Sequence, residues 1–390
     1  MKAISLFSGA MGLDLGLEQA GIEIMCCVEL DSSAVKTINN NRPDLPVIRE
    51  DISTLKGNYI LSKIGISDRS NINIVVGGPP CQAFSIIGRR KGIKDLRGKL
   101  VFEFLRIVEE INPEYFIMEN VRGLHSMIVE TENGKKSLYD MLIEKIISIG
   151  YVVDTFFVNA VNYGAPQIRE RIIMIGNRLN KKAEFPSPTH SDKPNENQKY
   201  FRNLGDVLID FKDPDSDIMD FSERKKKYLS YVPEGGNWRS MPIDIQKESM
   251  GKSWYLKGGR SAYWRRLSMD SPAPTIVTMP NHASTSMCHP KQIRALTVGE
   301  CSAIQTFPSH WKFIGTPAEK YRQIGNAVPV VLGKMAGIAI QNISKSTKLR
   351  SKMDNHEIIH IRPHVRTRQY YKAGKVYSGS PYLSSQQPIK

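Results

Sequence analysis

The chain lacks the features that mark a membrane-spanning, secreted or metal-binding protein. None of its 390 residues fall in a run that approaches the roughly 20 apolar residues needed to span a membrane. The N-terminus, MKAISLFSGAMGLD, reaches glycines too early for the apolar region of a signal peptide. Its five cysteines form no C-x-x-C pair and show no metal-ligand spacing. We therefore expect a cytoplasmic protein with free thiols, no membrane association and no bound metal.

Acidic residues are also scarce relative to basic ones. There are 39 Asp and Glu against 54 Lys and Arg, which gives a formal net charge of +15 and a pI near 9.5. Such a charge does not determine a fold, but it favours a polyanionic partner such as nucleic acid. Many basic proteins bind no polyanion, so charge alone leaves both interpretations open.

Short β-branched apolar runs alternate with longer helical patterns over the first 178 residues. Strands are predicted at 3–7, 22–29, 72–78, 114–120, 152–160 and 171–177, and helices at 13–20, 99–111 and 136–149. This alternation indicates an α/β fold, a doubly wound domain whose parallel sheet is covered by helices on both faces. Cofactors in such folds bind beyond the carboxyl ends of the strands. Functional residues should therefore follow strands.

The pattern changes after about residue 180. Prolines cluster, strand–helix alternation fades, and three of the four tryptophans lie among arginines. Helical patterning returns near residue 296. We predict a catalytic and cofactor-binding domain over 1–185, a smaller loop-rich domain over 186–290, a C-terminal part of the catalytic domain over 291–343, and a basic tail over 344–390.

A glycine-rich turn follows the first predicted strand. Gly9, Gly12 and Gly16 precede a helix, and glycine lets a ligand approach the backbone at a helix N-terminus. Glu29 ends the second strand, where an acidic residue can accept hydrogen bonds from ribose hydroxyls. Asp51 is either an acceptor for an adenine amino group or the cap of a following helix. Together these residues predict a nucleotide-like ligand.

The segment VVGGPPCQAFS, residues 75–85, places a cysteine in a turn that follows a buried strand. Prolines fix the backbone and remove donors, so the turn can aim the Cys81 thiol into a cleft. A thiol attacks as the thiolate, which a nearby helix N-terminus or cation favours. We predict that Cys81 is a catalytic nucleophile, whereas Cys26 and Cys27 in the strand-like run IEIMCCV are structural.

Two further groups of polar residues follow strands. Glu119 and Asn120 emerge beside the nucleophile if the two strands are neighbours, and a carboxyl group there can assist acid–base chemistry. In QIRERI, Gln167, Arg169 and Arg171 alternate, so an extended strand would point all three to one face. Two arginines on one face suit an anionic or carbonyl-oxygen partner. A surface strand with ion pairs is the alternative interpretation.

These motifs resemble those of the DNA (cytosine-5)-methyltransferases of restriction-modification systems. The sequences FSGAMGLDLG, VELD, DI at 51–52, GGPPCQAFS, MENV, QIRER, RALTVGECSAIQTFP and QIGNAVPVVLG stand in the family's order. GGPPCQAFS followed by ENV and QxRxR is a highly specific combination. The resemblance implies a Rossmann-like methyltransferase domain with a smaller target-recognition domain, S-adenosylmethionine as cofactor and double-stranded DNA as partner.

The resemblance also implies catalytic roles. Cys81 would add to C6 of a cytosine flipped out of the duplex, which makes C5 nucleophilic toward the methyl group. Glu119 would contact N3 and the exocyclic amine, and Arg171 would contact the O2 carbonyl. Arg169 and Asn120 would support the site.

The implied cofactor pocket consists of Phe7, Gly9, Gly12, Glu29, Asp51, Leu100, Asn326 and Val328. Phe7 would stack on the adenine, Glu29 would hold the ribose, and Asp51 would accept from the adenine amino group. Met11 stands where the family usually has glycine. Because methionine prefers negative φ, either the turn does not need glycine there or cofactor affinity is reduced.

DNA contacts are expected from two regions. The predicted contact residues are Ser85, Ile87, Arg89 and Arg97 after the nucleophile, and Trp238, Arg239, Arg260, Arg265 and Thr275 in the target-recognition region. The segment 85–99 is rich in glycine and charge and is predicted to be a mobile loop that closes over the flipped base. Thr275 lies in a Pro-Thr-Ile-Val segment that matches the Thr-plus-aliphatic dipeptide of family recognition domains. Core packing of the small domain is the favoured alternative for the tryptophans.

The basic tail has two interpretations. Between Lys345 and Lys375, nine Lys or Arg stand against two acids. The tail is either a solvated, partly disordered end or a short strand or arm, within IIHIRPHVRTRQYY, that binds DNA without sequence preference.

Two other functions share parts of this pattern. A tRNA cytosine-5 methyltransferase has the same catalytic motifs, but a long, basic target domain favours duplex DNA. A catalytically silent DNA-binding protein would be expected to lose Cys81, Glu119 or Arg171, and all three are present. We expect a monomer, and a separately encoded cognate restriction endonuclease is a further partner that the resemblance leaves open.

Overall fold

The computed structural model describes residues 1–80, 99–131, 134–213, 216–256, 260–350 and 355–361. The strands are β1 (Lys2–Leu6), β2 (Glu23–Val28), β3 (Val47–Ile48), β4 (Ile74–Gly77), β5 (Tyr115–Val121), β6 (Ile128–Thr131), β7 (Gly134–Ser137), β8 (Val152–Asn159), β9 (Gln167–Ile168), β10 (Glu170–Asn177), β11 (His190–Ser191), β12 (Lys199–Tyr200), β13 (Ala273–Pro274) and β14 (His356–His360). The helices are α1 (Gly12–Gln19), α2 (Ser32–Asn41), α3 (Gly57–Lys63), α4 (Lys99–Ile111), α5 (Leu138–Ser148), α6 (Gly205–Leu208), α7 (Glu223–Leu229), α8 (Ile243–Met250), α9 (Val298–Ile304), α10 (Pro317–Asn326) and α11 (Val330–Lys345).

The chain divides into two compact units. Within the described residues, the first unit contains 1–159, 170–188 and 328–361, and the second contains 160–169 and 189–327. The return to the first unit thus falls at residue 328, whereas we predicted 291. Residues 291–327 belong to the second unit because they form hydrogen bonds with it and with one another. Val298 N–H donates to the Asp217 carbonyl, and the Tyr321 hydroxyl donates to the Leu296 carbonyl.

A mixed sheet with the strand order β14-β8-β10-β5-β4-β1-β2-β3 forms the first unit. Neighbouring strands from β3 to β5 are parallel, as predicted, but β10 is antiparallel to both β5 and β8. The prediction of a wholly parallel sheet is therefore wrong at β10. Only the ten residues 160–169 join β8 to β10, and a parallel crossover needs a dozen or more. The α/β Rossmann-like class holds.

Helix α11 packs directly against α1 in the first unit. A Cβ atom added to Gly16 would lie 2.1 Å from the Val330 carbonyl oxygen, and one added to Gly333 would lie 2.2 Å from the Leu13 carbonyl oxygen. Real Cβ atoms essentially never approach so closely, so both glycines are needed for the backbones to touch. The C-terminal helix therefore supports the helix that follows the glycine-rich turn.

The segment predicted as a tail from residue 344 is partly built into the sheet. Strand β14 pairs in parallel with β8, from His356 against Val153 to His360 against Phe157. Arg350 forms a buried ion pair with Asp154 of β8. The described residues of this segment belong to the first unit, and residues 362–390, with the rest of the predicted DNA-binding arm, lie outside the described residues.

A separate hydrophobic core holds the second unit together. Trp238 and Trp264 are buried in it with Tyr228 and Cys288, and Trp254 is partly buried against it. Trp238 is 7% exposed, which agrees with the core-packing interpretation. This burial does not support the prediction that its ring contacts DNA directly.

Among the described residues, one stretch, Pro317–Lys345, which contains α10 and α11, is long and apolar enough to cross a membrane by length and composition. Its most apolar window is 72% buried inside the protein, which is the property of a core helix.

The described cysteines are buried free thiols. Cys26 and Cys27 lie in β2, as predicted for structural residues, and Cys288 and Cys301 lie in the second unit. Burial raises the pKa of Cys26 to about 12 and that of Cys288 to about 11. Such thiols are poor nucleophiles at neutral pH.

Candidate active site

The turn between β1 and α1 has an unusual backbone. Phe7, Gly9 and Met11 have φ of 54°, 52° and 64°. Met11 caps α1 in the left-handed conformation, so the turn does use a backbone geometry that favours glycine. Methionine nevertheless occupies this position, so the turn forms without a glycine there. The Met11 side chain is fully buried, and that burial offsets the strain.

Glu29 is fixed by the backbone of the same turn. Its carboxylate accepts hydrogen bonds of 2.7 Å from Gly9 N–H and 2.7 Å from Asp31 N–H. Burial raises the pKa of Glu29, while these two N–H groups oppose the shift. A Cβ atom added to Gly9 would meet nothing within 4 Å, so open space adjoins the turn. The predicted ribose acceptor and glycine turn are thus in direct contact.

The other predicted cofactor residues differ in location and exposure. Gly12 begins α1, and Leu100 lies half-buried near the start of α4. Asp51 is exposed, and its Oδ1 accepts from the Ser53 backbone N–H and hydroxyl, which lowers the Asp51 pKa. It therefore caps a turn, whereas the alternative in our sequence analysis was a helix cap. Exposed Asn326 ends α10 in the second unit, and buried Val328 lies in the first.

Strands β4 and β5 are neighbours, as the sequence analysis required. They pair in parallel from Ile74 against Tyr115 to Gly77 against Met118. The Asn120 amide donates a 3.0 Å hydrogen bond to the carbonyl of Pro79. Asn120 therefore fixes the backbone two residues before Cys81, which itself lies outside the described residues.

Glu119 and Arg171 form an ion pair between β5 and β10. Arg171 Nε lies 2.6 Å from Glu119 Oε1, and the two side chains are 11% and 10% exposed. Burial lowers the pKa of Arg171, and the charge of Glu119 opposes that shift. A guanidinium that remains charged at this depth holds the carboxyl group in one orientation. The predicted catalytic acid thus has a fixed position.

The double glycine before the cysteine turn has a steric cause. A Cβ atom on Gly77 would lie 2.5 Å from the Leu6 carbonyl oxygen, and one on Gly78 would lie 3.0 Å from Glu119 Oε2. The backbone of residue 78 therefore passes beside the carboxylate of Glu119. Any larger residue at position 78 would displace that carboxylate.

Arg169 and Gln167 have partners different from those of Arg171. Arg169 is 1% exposed and donates to the carbonyl oxygens of Ile276, Gly325 and Ala327 in the second unit. Gln167 lies in β9, which ends before β10 begins. The prediction that one continuous strand points all three side chains to one face is wrong, because the strand is interrupted between them.

The predicted DNA-contacting residues fall into three groups. Arg239 and Arg260 lie over the Trp238 ring, with guanidinium carbons 4.5 and 5.3 Å from its centroid. Arg265 Nε donates to the Ser286 carbonyl, and the Thr275 hydroxyl donates to the Ile168 carbonyl. The residues Ser85, Ile87, Arg89 and Arg97 lie outside the described residues, as does the loop closure predicted for 85–99.

Two buried polar residues were missed by the sequence analysis. Asp14, in the first turn of α1, is 1% exposed, and neither carboxylate oxygen has a hydrogen-bond partner among the described residues. Burial raises its pKa to about 7. Gln305 is fully buried and bonds to Gln167. The acid within FSGAMGLDLG and the glutamine within SAIQTFP were visible signals, since both stand in motifs of the family.

Comparison with known proteins agrees with this geometry. The family model described as C-5 cytosine-specific DNA methylase matches residues 1–342. The type II methyltransferase M.PspPI of Psychrobacter sp. (strain TA137) is 41% identical over 342 residues, covering 86% of this chain and 78% of the relative. The type II methyltransferase M.Eco47II of Escherichia coli is 39% identical over 348 residues, covering 87% and 78%.

A solved structure has the same fold. The crystal structure of a prophage-encoded putative DNA modification methyltransferase from E. coli is 25% identical, with a TM-score of 0.63 over 89% of this chain and 100% of that chain. The fold, the site and these matches define a class of DNA-modifying enzymes. The chain belongs to the C-5 cytosine-specific DNA methylase family, and the two relatives named above are type II methyltransferases.

Proposed function

We propose that this enzyme transfers a methyl group from S-adenosylmethionine to C5 of a cytosine flipped out of a specific duplex DNA sequence. The observation that carries the proposal is the Glu119–Arg171 pair beside the end of β4, where Asn120 holds the backbone leading to Cys81. An oriented carboxyl group, a cation and a cysteine are the groups that covalent chemistry on a pyrimidine ring requires.

The turn after β1 suits the proposed cofactor. Glu29 presents a buried carboxylate, Gly9 leaves open space beside it, and both are held by one 2.7 Å hydrogen bond. Phe7 provides a half-buried ring at the start of the turn, and Asp51 retains an exposed carboxylate. S-adenosylmethionine supplies an electrophilic methyl group when bound. The residues that would hold it are Phe7, Gly9, Gly12, Glu29, Asp51, Leu100, Asn326 and Val328.

The proposed chemistry uses Cys81 and Glu119. The Cys81 thiolate adds to C6, the electron pair of the C5–C6 bond makes C5 nucleophilic, and Glu119 stabilises the ring at N3 and the exocyclic amine. C5 takes the methyl group as its bond to the sulfonium sulfur breaks, and the leaving group would be the neutral thioether S-adenosylhomocysteine. C5 then loses its proton to solvent, and the Cys81 thiolate leaves C6, which restores the double bond. Arg171 orients Glu119 and is available to the O2 carbonyl. Asn120 supports the cysteine turn.

DNA recognition is proposed for the region 186–290. Arg260 has two donors, Nε and Nη1, without a hydrogen-bond partner among the described residues, and its φ is 45°. Unpaired donors and a strained backbone are typical of binding sites. Exposed Arg239 and half-buried Arg265 supply further positive charge, while the role of Trp238 is to support Arg239 and Arg260. The basic segment Ser85–Lys99 is proposed to close over the flipped base.

A cognate restriction endonuclease is the proposed biological partner, because the relatives named above are type II methyltransferases. We propose that the enzyme acts as a monomer in the cytoplasm.

Methylation of purified duplex DNA, read by bisulfite sequencing, tests the function. Wild type should modify one sequence, Cys81→Ser should be inactive, and Glu119→Gln should be slower by about 100- to 10,000-fold because an acid–base contact is lost. Glu114→Gln, at an exposed acid just before the same strand, is the matched control and should retain full activity. Full activity of the serine variant, or modification of tRNA in preference to DNA, would overturn the proposal.

A further inference from the structure

A chain of buried amide groups crosses the second unit. Ile276 N–H donates to Gln167 Oε1 at 2.8 Å, Gln167 Nε2 donates to Gln305 Oε1 at 2.9 Å, and Gln305 Nε2 donates to the Ile324 carbonyl at 2.6 Å. Gln167 and Gln305 are fully buried. We call Gln167, Gln305 and the backbone N–H of Ile276 the amide network. Fully satisfied buried networks of this kind specify one arrangement of the segments they join.

Arg169 binds the other side of the same segments. Its Nη1 donates to the Ile276 carbonyl at 3.0 Å, and its Nη2 donates to the carbonyls of Gly325 and Ala327 at 2.8 Å each. These last two carbonyls lie at the C-terminus of α10, where the helix dipole favours a cation. Ile276 is therefore held by both its backbone groups, through two different side chains.

Backbone pairing alone cannot fix this segment. Strand β13 pairs with β9 through Ala273 N–H, which donates to the Pro166 carbonyl at 2.7 Å. The next residue, Pro274, has no N–H to continue the ladder. Side chains take over at that point: the Thr275 hydroxyl donates to the Ile168 carbonyl, and Gln167 accepts from Ile276.

Helix α10 packs against the residues that follow Ile276. A Cβ atom added to Gly325 would lie 2.7 Å from Thr278 N and 2.7 Å from the Val277 carbonyl carbon. Two residues after Ile276, Thr278 is half-buried, and the next residue, Met279, is 52% exposed. Their position on the surface therefore depends on how Ile276 is held. A slip of one residue would exchange the side chains on the two faces of this extended stretch.

We propose that Gln305 is a positioning residue for sequence specificity: through the amide network it sets the register of residues 275–279, so that Val277, Thr278 and Met279 meet the DNA in one arrangement. The proposal rests on the proposed function, since it assigns the 275–279 segment to DNA recognition. Gln305 contacts neither DNA nor cofactor in this role, and it acts through Gln167 and Ile276.

Methylation of a library of duplexes with randomised sequence, read by bisulfite sequencing, tests the proposal. In Gln305→Ala, methylation of sequences that differ from the preferred one at a single base pair should rise at least about tenfold relative to the preferred sequence, which corresponds to a loss of about 1.4 kcal/mol of discrimination. The KM for DNA should rise, and the dissociation constant for S-adenosylhomocysteine should stay the same. Gln305→Glu keeps the shape and the acceptor for Gln167 but loses the donor, so it should show the same change to a smaller degree.

The matched control is Gln323→Ala. Gln323 lies in α10, is buried as Gln305 is, and donates to the Ile314 carbonyl, outside the amide network. It should lower the melting temperature as much as Gln305→Ala but leave the methylated sequence unchanged. Equal broadening in both variants, or unchanged specificity in both Gln305 variants, would overturn the proposal. Failure of the wild type to methylate any duplex would instead overturn the proposed function.

Discussion

The glycine-rich turn of the first unit and the amide network of the second unit differ in how their buried polar groups are bonded. In the first unit, Asp14 is buried without a hydrogen-bond partner among the described residues, and Phe7 and Met11 adopt positive φ beside it. In the second unit, Gln167 and Gln305 are equally buried, but each both donates and accepts. Strain collects where a ligand is proposed to bind, and satisfied bonds collect where segments are held in register. Removing a polar group should therefore have opposite effects on stability in the two settings.

The largest expected effect concerns a buried acid of the first unit that is paired. Asp154 is fully buried and bonds to Arg350 and to Ala183 N–H. A chain ended at residue 344 leaves this buried carboxylate without its cation and uncovers the edge of β8, which should cost about 3–5 kcal/mol. A chain ended at residue 361 keeps Arg350 and β14 and is the control. Urea unfolding of the two chains measures the difference, and equal midpoints would show that β14 adds no stability.

Replacing Asp14 should change the free energy of unfolding in the opposite direction, toward greater stability at neutral pH. Its pKa of about 7 in the folded protein exceeds the ordinary 3.8, so the folded state holds a proton that the unfolded chain releases. Stability contributed by this group is therefore lost as pH rises from about 4 to about 7, by as much as about 4 kcal/mol. Asp14→Asn should be more stable than the wild type above pH 7 and equal to it near pH 4, as measured by unfolding at several pH values.

The control for this prediction is Asp140→Asn. Asp140 stands in the first turn of α5, as Asp14 does in α1, but it is exposed. Its unfolding free energy should follow the wild-type dependence on pH. Parallel pH profiles for Asp14→Asn and the wild type would contradict burial of an unpaired acid.

The sequence predicted the features that depend on local patterns, and it did not predict those that depend on contacts between distant segments. Helix α4 has the predicted bounds because its apolar residues repeat at helical spacing. Strands β4 and β5 are neighbours, as the polar residues at their carboxyl ends had indicated. The direction of β10, the position of β14 and the burial of Gln305 depend on contacts between residues far apart in the chain. Gln167 and Gln305 are separated by 138 residues, and no local pattern reports such a pair.

The smallest expected effect is at Met11. Its left-handed backbone costs about 1–2 kcal/mol, whereas burial of its side chain contributes about 1.5–3 kcal/mol, so the second effect prevails. We expect stability to fall in the order Met, Gly, Ala at this position, because alanine loses the burial without relieving the backbone. At Leu15, within α1, glycine should instead be less stable than alanine. Thermal unfolding measures both series, and alanine above glycine at position 11 would contradict the left-handed geometry.

The contact between α1 and α11 has a consequence for synthesis of the protein. The ribosome makes Gly16 early, and Val330, whose carbonyl oxygen lies against it, more than 300 residues later. At about 5–20 residues per second, the helix behind the glycine-rich turn waits on the order of 15–60 s for its partner. A nascent chain therefore cannot complete the unit that carries Glu29 and Glu119 until Val330 and the rest of α11 have been translated. A premature stop codon before Val330 leaves α1 without its support.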